Sequence, residues 1–237
     1  MKKAIVVGAS SGIGNKLAII LAENGYKVGI TGRRDQLLLN LQATQPERFT
    51  ISCFDVTNVE KVPAHLQKLT DKLEGLDLLV LSSGTGKINP LLDTIIEQQT
   101  NAVNVAGFTA VANWAISYFE TRGYGHFAAI TSIAAIRGNR HAPAYNASKA
   151  YQVNYLEGLR QRSVHLKKPI YITDIRPGFV DTAMAAGDVF WMAPIDKAAG
   201  QIFEALENKR SVVYITKRWR LVAFFMRLVP GILFKRL

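Results

Sequence analysis

Seven short runs of apolar, largely β-branched residues recur along the chain with helix-length stretches between them. No other feature restricts the fold as much. The runs are 3–7 (KAIVV), 27–31, 49–54, 77–81 (DLLVL), 127–131, 169–175 (PIYITDI) and 211–216 (SVVYIT). Most are apolar at nearly every position instead of every second one, the signature of strands covered on both faces, as in a parallel sheet. The stretches 13–24, 58–73, 101–121, 144–163 and 195–207 are long enough for the crossover helices that parallel strands need. Strand–helix alternation repeated this often predicts an α/β fold with a doubly wound parallel sheet. The 237 residues fall between one and two domains at roughly 150 residues per domain. No linker, low-complexity segment or internal repeat divides them, so the expected organisation is one domain over 1–216 and an appended segment, 217–237.

Composition narrows the class further. Hydrophobic residues make up 49% and charged residues 20%, ordinary values for a globular protein with a full core. Cys53 is the one cysteine, so no disulfide forms within the chain, which fits a reducing compartment. It is expected to be a buried small hydrophobe. The four histidines (His65, His126, His141, His165) have no metal-ligand spacing, and no metal site is expected. Met1-Lys2-Lys3 and the apolar run after it enter a glycine pattern instead of a cleavage site. They read as a first strand and not a signal peptide, so a cytoplasmic protein is expected. The net charge of +11 is uneven: 217–237 carries six cations and no acid. The rest of the chain has no basic patch interleaved with base-stacking aromatics, which argues against a nucleic-acid partner.

The first strand ends at Val7 and is followed by Gly8-Ala9-Ser10-Ser11-Gly12-Ile13-Gly14 and a helix pattern through Leu17, Ile20 and Leu21. Glycine serves where the backbone turns sharply and where a phosphate must approach it. A helix N-terminus beside the loop offers N–H groups and partial positive charge to a pyrophosphate. The spacing, G-x-x-x-G-x-G, is not the commoner G-x-G-x-x-G, but its place between strand and helix supports a dinucleotide site. A cofactor with an unmodified ribose 2′-OH usually meets an acid at the end of the second strand, about 20 residues on. Here Arg33 and Arg34 stand after Thr31, before Asp35. A guanidinium there suits a 2′-phosphate and favours NADP(H), with Arg33 nearer the strand end.

Tyr145-Asn146-Ala147-Ser148-Lys149 sets a phenol and an ammonium on one helical face. An ammonium a few Å away favours the phenolate and lowers the tyrosine's pKa from its reference of about 10. A tyrosine tuned that way exchanges protons near neutral pH. Thirteen residues earlier, Ser132 follows the fifth strand run. It falls at a C-terminal strand end, where open α/β sheets bind ligands and where a hydroxyl can stabilise charge on a substrate oxygen.

Gly8, Gly12-Ile13-Gly14, Asn104, Ser132, Tyr145, Lys149 and Pro177-Gly178 together resemble the classical short-chain dehydrogenase/reductase family, over roughly residues 3–216. The resemblance implies a Rossmann-type sheet of seven parallel strands and an NADP(H)-dependent enzyme moving a hydride between nicotinamide and a carbonyl or alcohol carbon. It implies that Tyr145 exchanges the proton, that Lys149 lowers the tyrosine's pKa and binds the nicotinamide ribose, and that Ser132 positions the carbonyl oxygen. Asn104 would hold a water continuing a relay through Lys149. Gly8, Ser10, Ser11, Gly12, Ile13 and Gly14 would bind the phosphates, and Asp55 with Val56 would contact the adenine. Pro177, Gly178, Val180 and Thr182 would bracket the nicotinamide. Where the family usually shows Asn-Asn-Ala-Gly, this chain has Leu81-Ser82-Ser83-Gly84, so Ser82 or water must replace the asparagine contacts. Val7 likewise stands where the family has Thr. Family members commonly associate, so a dimer or tetramer is expected.

In 217–237, Leu221, Phe224, Phe225 and Leu228 form a helical stripe that Pro230-Gly231 should end or kink. Arg227 interrupts the apolar runs, so the segment is no membrane span. It fits a basic amphipathic helix lying on an anionic membrane, or a cover over the substrate pocket, or a dimer interface. The apolar stretch 183–194, with Met184, Phe190, Trp191 and Met192, is expected to form part of a substrate lid. Both segments point to an apolar or lipid-like substrate. Besides a carbonyl reductase, the sequence allows a catalytically silent NADP(H) sensor and a membrane-docked scaffold. The intact Asn104, Ser132, Tyr145, Lys149 set favours the enzyme, because a sensor needs no proton relay.

Overall fold

A computed structural model describes residues 1–183 and 191–235. Seven strands form one sheet: β1 (Lys3–Val7), β2 (Lys27–Gly32), β3 (Phe49–Cys53), β4 (Leu78–Leu81), β5 (Gly125–Ile130), β6 (Ile170–Pro177) and β7 (Val212–Ile215). All pairings are parallel, in the order β3-β2-β1-β4-β5-β6-β7. The helices that connect and flank the strands are α1 (Gly12–Glu23), α2 (Asp35–Thr44), α3 (Val62–Leu73), α4 (Thr94–Asn101), α5 (Phe108–Arg122), α6 (Pro143–His165) and α7 (Ile195–Glu207). Beyond β7 come α8 (Trp219–Leu228) and the short α9 (Gly231–Phe234). This is the Rossmann-type doubly wound sheet that the alternating runs predict.

Two cores explain why the strands carry no polar alternation. Ala4 and Val6 of β1 face one side, packing with Leu17 and Leu21 of α1 and Ile202 of α7. Ile5 and Val7 face the other, with Leu66 and Leu69 of α3 and Val111 of α5. Successive residues point to opposite faces, and both faces are covered, so each position must be apolar. Burial of each such valine, leucine or isoleucine contributes about 1.5–3 kcal/mol.

The structure corrects two expectations and adds a helix, α2. Cys53 is exposed, not buried. It ends β3, an edge strand paired only with β2, whose burial fades toward that end. The stretch 101–121 is not one helix: α4 ends at Asn101, a π-helical turn spans Ala102–Gly107, and α5 begins at Phe108. Finally, α2 has no counterpart among the expected helices; only Leu38 and Leu41 of it are buried.

The strand order reverses direction between β1 and β4. Chain leaving the C-terminal ends of these two strands opens the crevice in which such sheets take their ligands. The glycine loop and residues 82–84 therefore face each other across this point. Ser82 and Ser83 donate backbone N–H bonds to Val7 O at 2.8 and 2.9 Å.

Candidate active site

Backbone contact shapes the glycine loop. Gly8 has φ +93°, and a Cβ there would fall 2.6 Å from Ser83 N. A Cβ on Gly14 would fall 2.2 Å from Gly8 O and 2.8 Å from Ser82 Oγ. Neither position tolerates a side chain without moving backbone, so α1 starts directly beneath the loop. Ser82 thus occupies the family's asparagine place as a packing contact against Gly14. At Gly12, φ +62°, a Cβ would meet the Thr182 side chain at 3.6 Å, so the loop after β6 lies against the loop after β1. The N-cap of α1, Ser11, makes no side-chain cap bond. The first N–H groups of α1 and its positive dipole end face the crevice near Ile13, a ready place for phosphate. Asn15, which the sequence reading passed over, donates to Ala9 O at 3.1 Å and steadies the loop.

Arg33 and Arg34 take different positions. Arg34 lies against the glycine loop, donating to Ser10 Oγ at 2.9 and 3.3 Å and to Ser11 Oγ at 2.5 Å. Arg33 turns toward Asp55, 3.4 Å away, and is largely exposed. Of the two, Arg34 lies over the glycine loop, and Arg33, nearer the strand end, does not. Burial tends to raise the Asp55 carboxyl, but the Thr57 bonds and Arg33 outweigh it and hold the pKa below its ordinary value. Val56, next to it, is buried and packs against Gly107.

The second group gathers at the ends of β4 and β5. Tyr145, in the first turn of α6, hydrogen-bonds Ser132, whose Oγ also accepts from Ala134 N at 3.0 Å. Lys149 is buried one turn later, its Nζ 5.9 Å from the Tyr145 ring centre. Nζ donates to Ile130 O at 3.0 Å and to Gln152 Oε1 at 3.1 Å. Burial pulls its pKa down to about 8, against the pull of Asp174. Burial also pushes the Tyr145 phenol above its ordinary value, with the Ser132 bond working the other way. This is opposite to the shift expected from the Lys149 ammonium, because burial of the phenol is the largest influence on it.

Asn104 sits fully buried in the π-helical turn. Its side chain donates to Thr85 O (2.7 Å) and Ser148 Oγ (3.0 Å) and accepts from Thr85 N (2.9 Å). The turn delivers its backbone carbonyl toward α6, where Gln152 Nε2 donates to it at 2.9 Å. Gly84 lies over this cluster: a Cβ there would sit 3.4 Å from Lys149 Nζ and 3.6 Å from Asn104 Oδ1. Gly86 lies on the tyrosine, since a Cβ would fall 2.4 Å from Tyr145 Cδ2. Gln152 and Gly86, like Asn15, are site residues that sequence reasoning missed.

Pro177 ends β6, and Gly178 follows, so close to Trp219 that a Cβ would fall 2.1 Å from the indole. Val180 is buried and pairs with Ala193. Of the expected lid, Met184 and Phe190 lie outside the described residues. Trp191 packs edge-on to Trp219, with centroids 6.1 Å apart. Among the described residues no cluster of His, Cys, Asp or Glu could hold a metal ion.

A glycine loop over a helix N-terminus at the switch point, one strand away from a phenol, an ammonium and a hydroxyl, defines a nucleotide-binding oxidoreductase of the Rossmann type. Residues 2–192 match the family described as short chain dehydrogenase. The chain belongs to this short-chain dehydrogenase/reductase family. It is 29% identical over 207 residues to an uncharacterised oxidoreductase of Mycobacterium tuberculosis, covering 84% of this chain and 81% of that one. It is 32% identical over 198 residues to an uncharacterised oxidoreductase of Staphylococcus saprophyticus, covering 81% and 83%. Among solved structures, a 3-ketoacyl-(acyl-carrier-protein) reductase from Brucella melitensis, complexed with NADH, superposes with a TM-score of 0.82 at 20% identity. It covers 90% of this chain and 96% of its own. ElxO with NADP bound gives 0.80 at 20% identity over the same shares. Both show the fold.

Proposed function

We propose that the protein is an NADP(H)-dependent enzyme that interconverts a carbonyl and an alcohol on an apolar substrate. The observation that carries the cofactor preference is Arg34, held across Ser10 and Ser11 just after β2. One guanidinium and two hydroxyls there would meet a ribose 2′-phosphate, and charge-assisted bonds of this kind favour the phosphorylated cofactor. The glycine backbone at 8, 12 and 14 leaves room for a pyrophosphate over α1. Gly84 keeps the front of Lys149 open for a ribose. The bound nicotinamide would supply or accept the hydride.

In the reducing direction Tyr145 gives its phenolic proton to the substrate oxygen and is left as phenolate. Ser132 donates to that same oxygen as negative charge gathers on it. A phenol held above its ordinary pKa is protonated at neutral pH and ready as an acid. Lys149, close to its ring, favours the phenolate that forms. The Ile130 carbonyl and Gln152, itself held by the Asn104 carbonyl, fix Lys149. The apolar substrate class is supported by Ile88, Leu91, Leu92 and Ile95, all exposed in the segment that runs from Gly86, against Tyr145, into α4.

The test is cofactor binding and turnover with NADPH and NADH on a panel of apolar ketones and aldehydes, with Tyr145→Phe alongside. NADPH-selective turnover that Tyr145→Phe abolishes is the expected result. NADPH binding with no turnover on any carbonyl would favour a sensor. Failure to bind either cofactor would remove the proposal.

A further inference from the structure

Helix α8 is fastened to the domain by one side. Trp219 is buried against Gly178 and lies edge-on to Phe179, and Ala223 is buried one turn later. At the far end Arg137, from the turn that follows Ser132, donates to the carbonyls of Met226 (3.0 Å), Arg227 (3.2 Å) and Val229. These are among the helix-end carbonyls that have no partner inside the helix, and a fixed cation satisfies them and complements the dipole. The same guanidinium lies 5.3 Å from the centre of the Phe234 ring, tying α9 to the same anchor. The helix is therefore held in one rotational setting.

That setting turns the apolar stripe outward. Leu221, Phe224, Phe225 and Leu228 are 65%, 57%, 63% and 61% exposed, and Ile232 and Leu233 of α9 are exposed beyond them. A contiguous row of large apolar side chains facing water marks a surface that something else covers. The cations lie around it: Lys217, Arg218, Arg220, Arg227 and Lys235 are all exposed, and 217–237 contains no acid. Arg220 and Arg227, seven residues apart, share one flank of the helix.

We propose that this face docks on an anionic phospholipid surface, with Leu221, Phe224, Phe225 and Leu228 entering the acyl boundary and the arginines and lysines meeting the headgroups. Charge decides the occupant. A twofold contact with a second copy would set these cations against their own copies, on a chain that already carries +11. An anionic bilayer offers apolar depth and negative charge together. The mode is surface docking, because among the described residues no helix is long and apolar enough to cross a membrane. Docking stands apart from the proposed reaction, and its test reads binding alone. The one consequence that rests on that reaction is substrate delivery: α8 packs on the turn Ile133–Ile136 just after Ser132, so a carbonyl compound dissolved in the bilayer would have a short path to Tyr145.

The experiment is flotation of the full chain with vesicles of phosphatidylcholine alone and of equal parts phosphatidylcholine and phosphatidylglycerol. It compares the native chain with Phe224→Ser/Phe225→Ser/Leu228→Ser and with Arg220→Gln/Arg227→Gln. Circular dichroism and a cooperative thermal melt check that each variant is folded. The expected result is binding to the anionic vesicles that weakens with salt. The triple variant should lose about tenfold or more of it, and the double variant several-fold. Three results would each overturn the proposal: no flotation of the native chain at low salt, native-like flotation of the triple variant, or a self-association without vesicle binding that the triple variant abolishes.

Discussion

Gln152 stands between Asn104 and Lys149, its Nε2 2.9 Å from the asparagine's backbone oxygen and its Oε1 3.1 Å from the lysine's Nζ. The family resemblance would connect those two groups through a water; here a side-chain amide spans them. Removing the amide leaves the buried ammonium short of an acceptor and the carbonyl without a partner, a cost of about 1–3 kcal/mol in stability. Gln152→Leu should therefore lower the melting temperature. It should also lower the Lys149 pKa, since a bond to the charged form is gone. Gln152→Glu should raise it by placing a carboxylate beside the ammonium. The alkaline limb of kcat/KM against pH should then move down in Gln152→Leu and up in Gln152→Glu. Unmoved limbs in both would reduce Gln152 to packing.

The two arginines after β2 should separate by cofactor. Arg34→Ala removes the guanidinium held on Ser10 and Ser11, and NADPH affinity should fall about tenfold or more, the worth of a charge-assisted bond. NADH affinity should change little. Arg33→Ala should have the smaller effect, because Arg33 spends its charge on Asp55. Titration of each variant with both cofactors checks this, and a larger loss in Arg33→Ala would reverse the assignment.

Burial of Lys149 makes stability depend on pH in a definite direction. Its folded pKa of about 8 lies below its ordinary value of 10.5. Between those values the unfolded chain holds the proton and the folded chain does not, so stability rises with pH through that window and the contribution is absent below about pH 8. From about pH 7 to about pH 9.5, the native chain without cofactor should gain on Lys149→Met by up to about 2 kcal/mol. That amounts to a few degrees in melting temperature for a chain of this size. Parallel melting curves for the two proteins would show that the ammonium is not desolvated.

Gly178 predicts a steric effect. A Cβ there would lie 2.1 Å from the Trp219 ring, so Gly178→Ala must displace the indole and the start of α8, at about 1–3 kcal/mol. In Gly178→Ala/Trp219→Leu the added methyl meets a smaller neighbour, and its cost should shrink. Denaturant unfolding of the four proteins gives the coupling; additive losses would mean that the contact is not shared.

The strands and the glycine loop were legible because burial on both faces and close backbone approach each leave a residue-type signature. Gln152 left none: three residues after Lys149 on a helix, it reads as an exposed polar residue until the turn at 102–107 brings a carbonyl to meet it. That turn is equally silent, since Ala102–Gly107 is helical by every local measure and only its wider winding sets Asn104. What could have been read is α6, whose inward face carries Asn146, Ser148, Lys149 and Gln152 instead of an apolar stripe. A helix of 23 residues with a polar buried face belongs to a site. Cys53 was misjudged because residue type reports burial on average, whereas strand order, which sequence does not fix, decides which strand lies at the edge. The arginines were visible as a pair, but which of them bends back over the loop depends on serines more than twenty positions earlier.

An ammonium has three hydrogens, and in Lys149 two of them are committed, one to the end of β5 and one to α6. Tetrahedral geometry then dictates the bearing of the third, as two planted legs of a tripod dictate where the last must fall. Gly84 keeps the neighbouring space clear. A flexible four-carbon stem has thereby become a fixed pointer, and whatever hydroxyl arrives meets a donor that needs no search to find it.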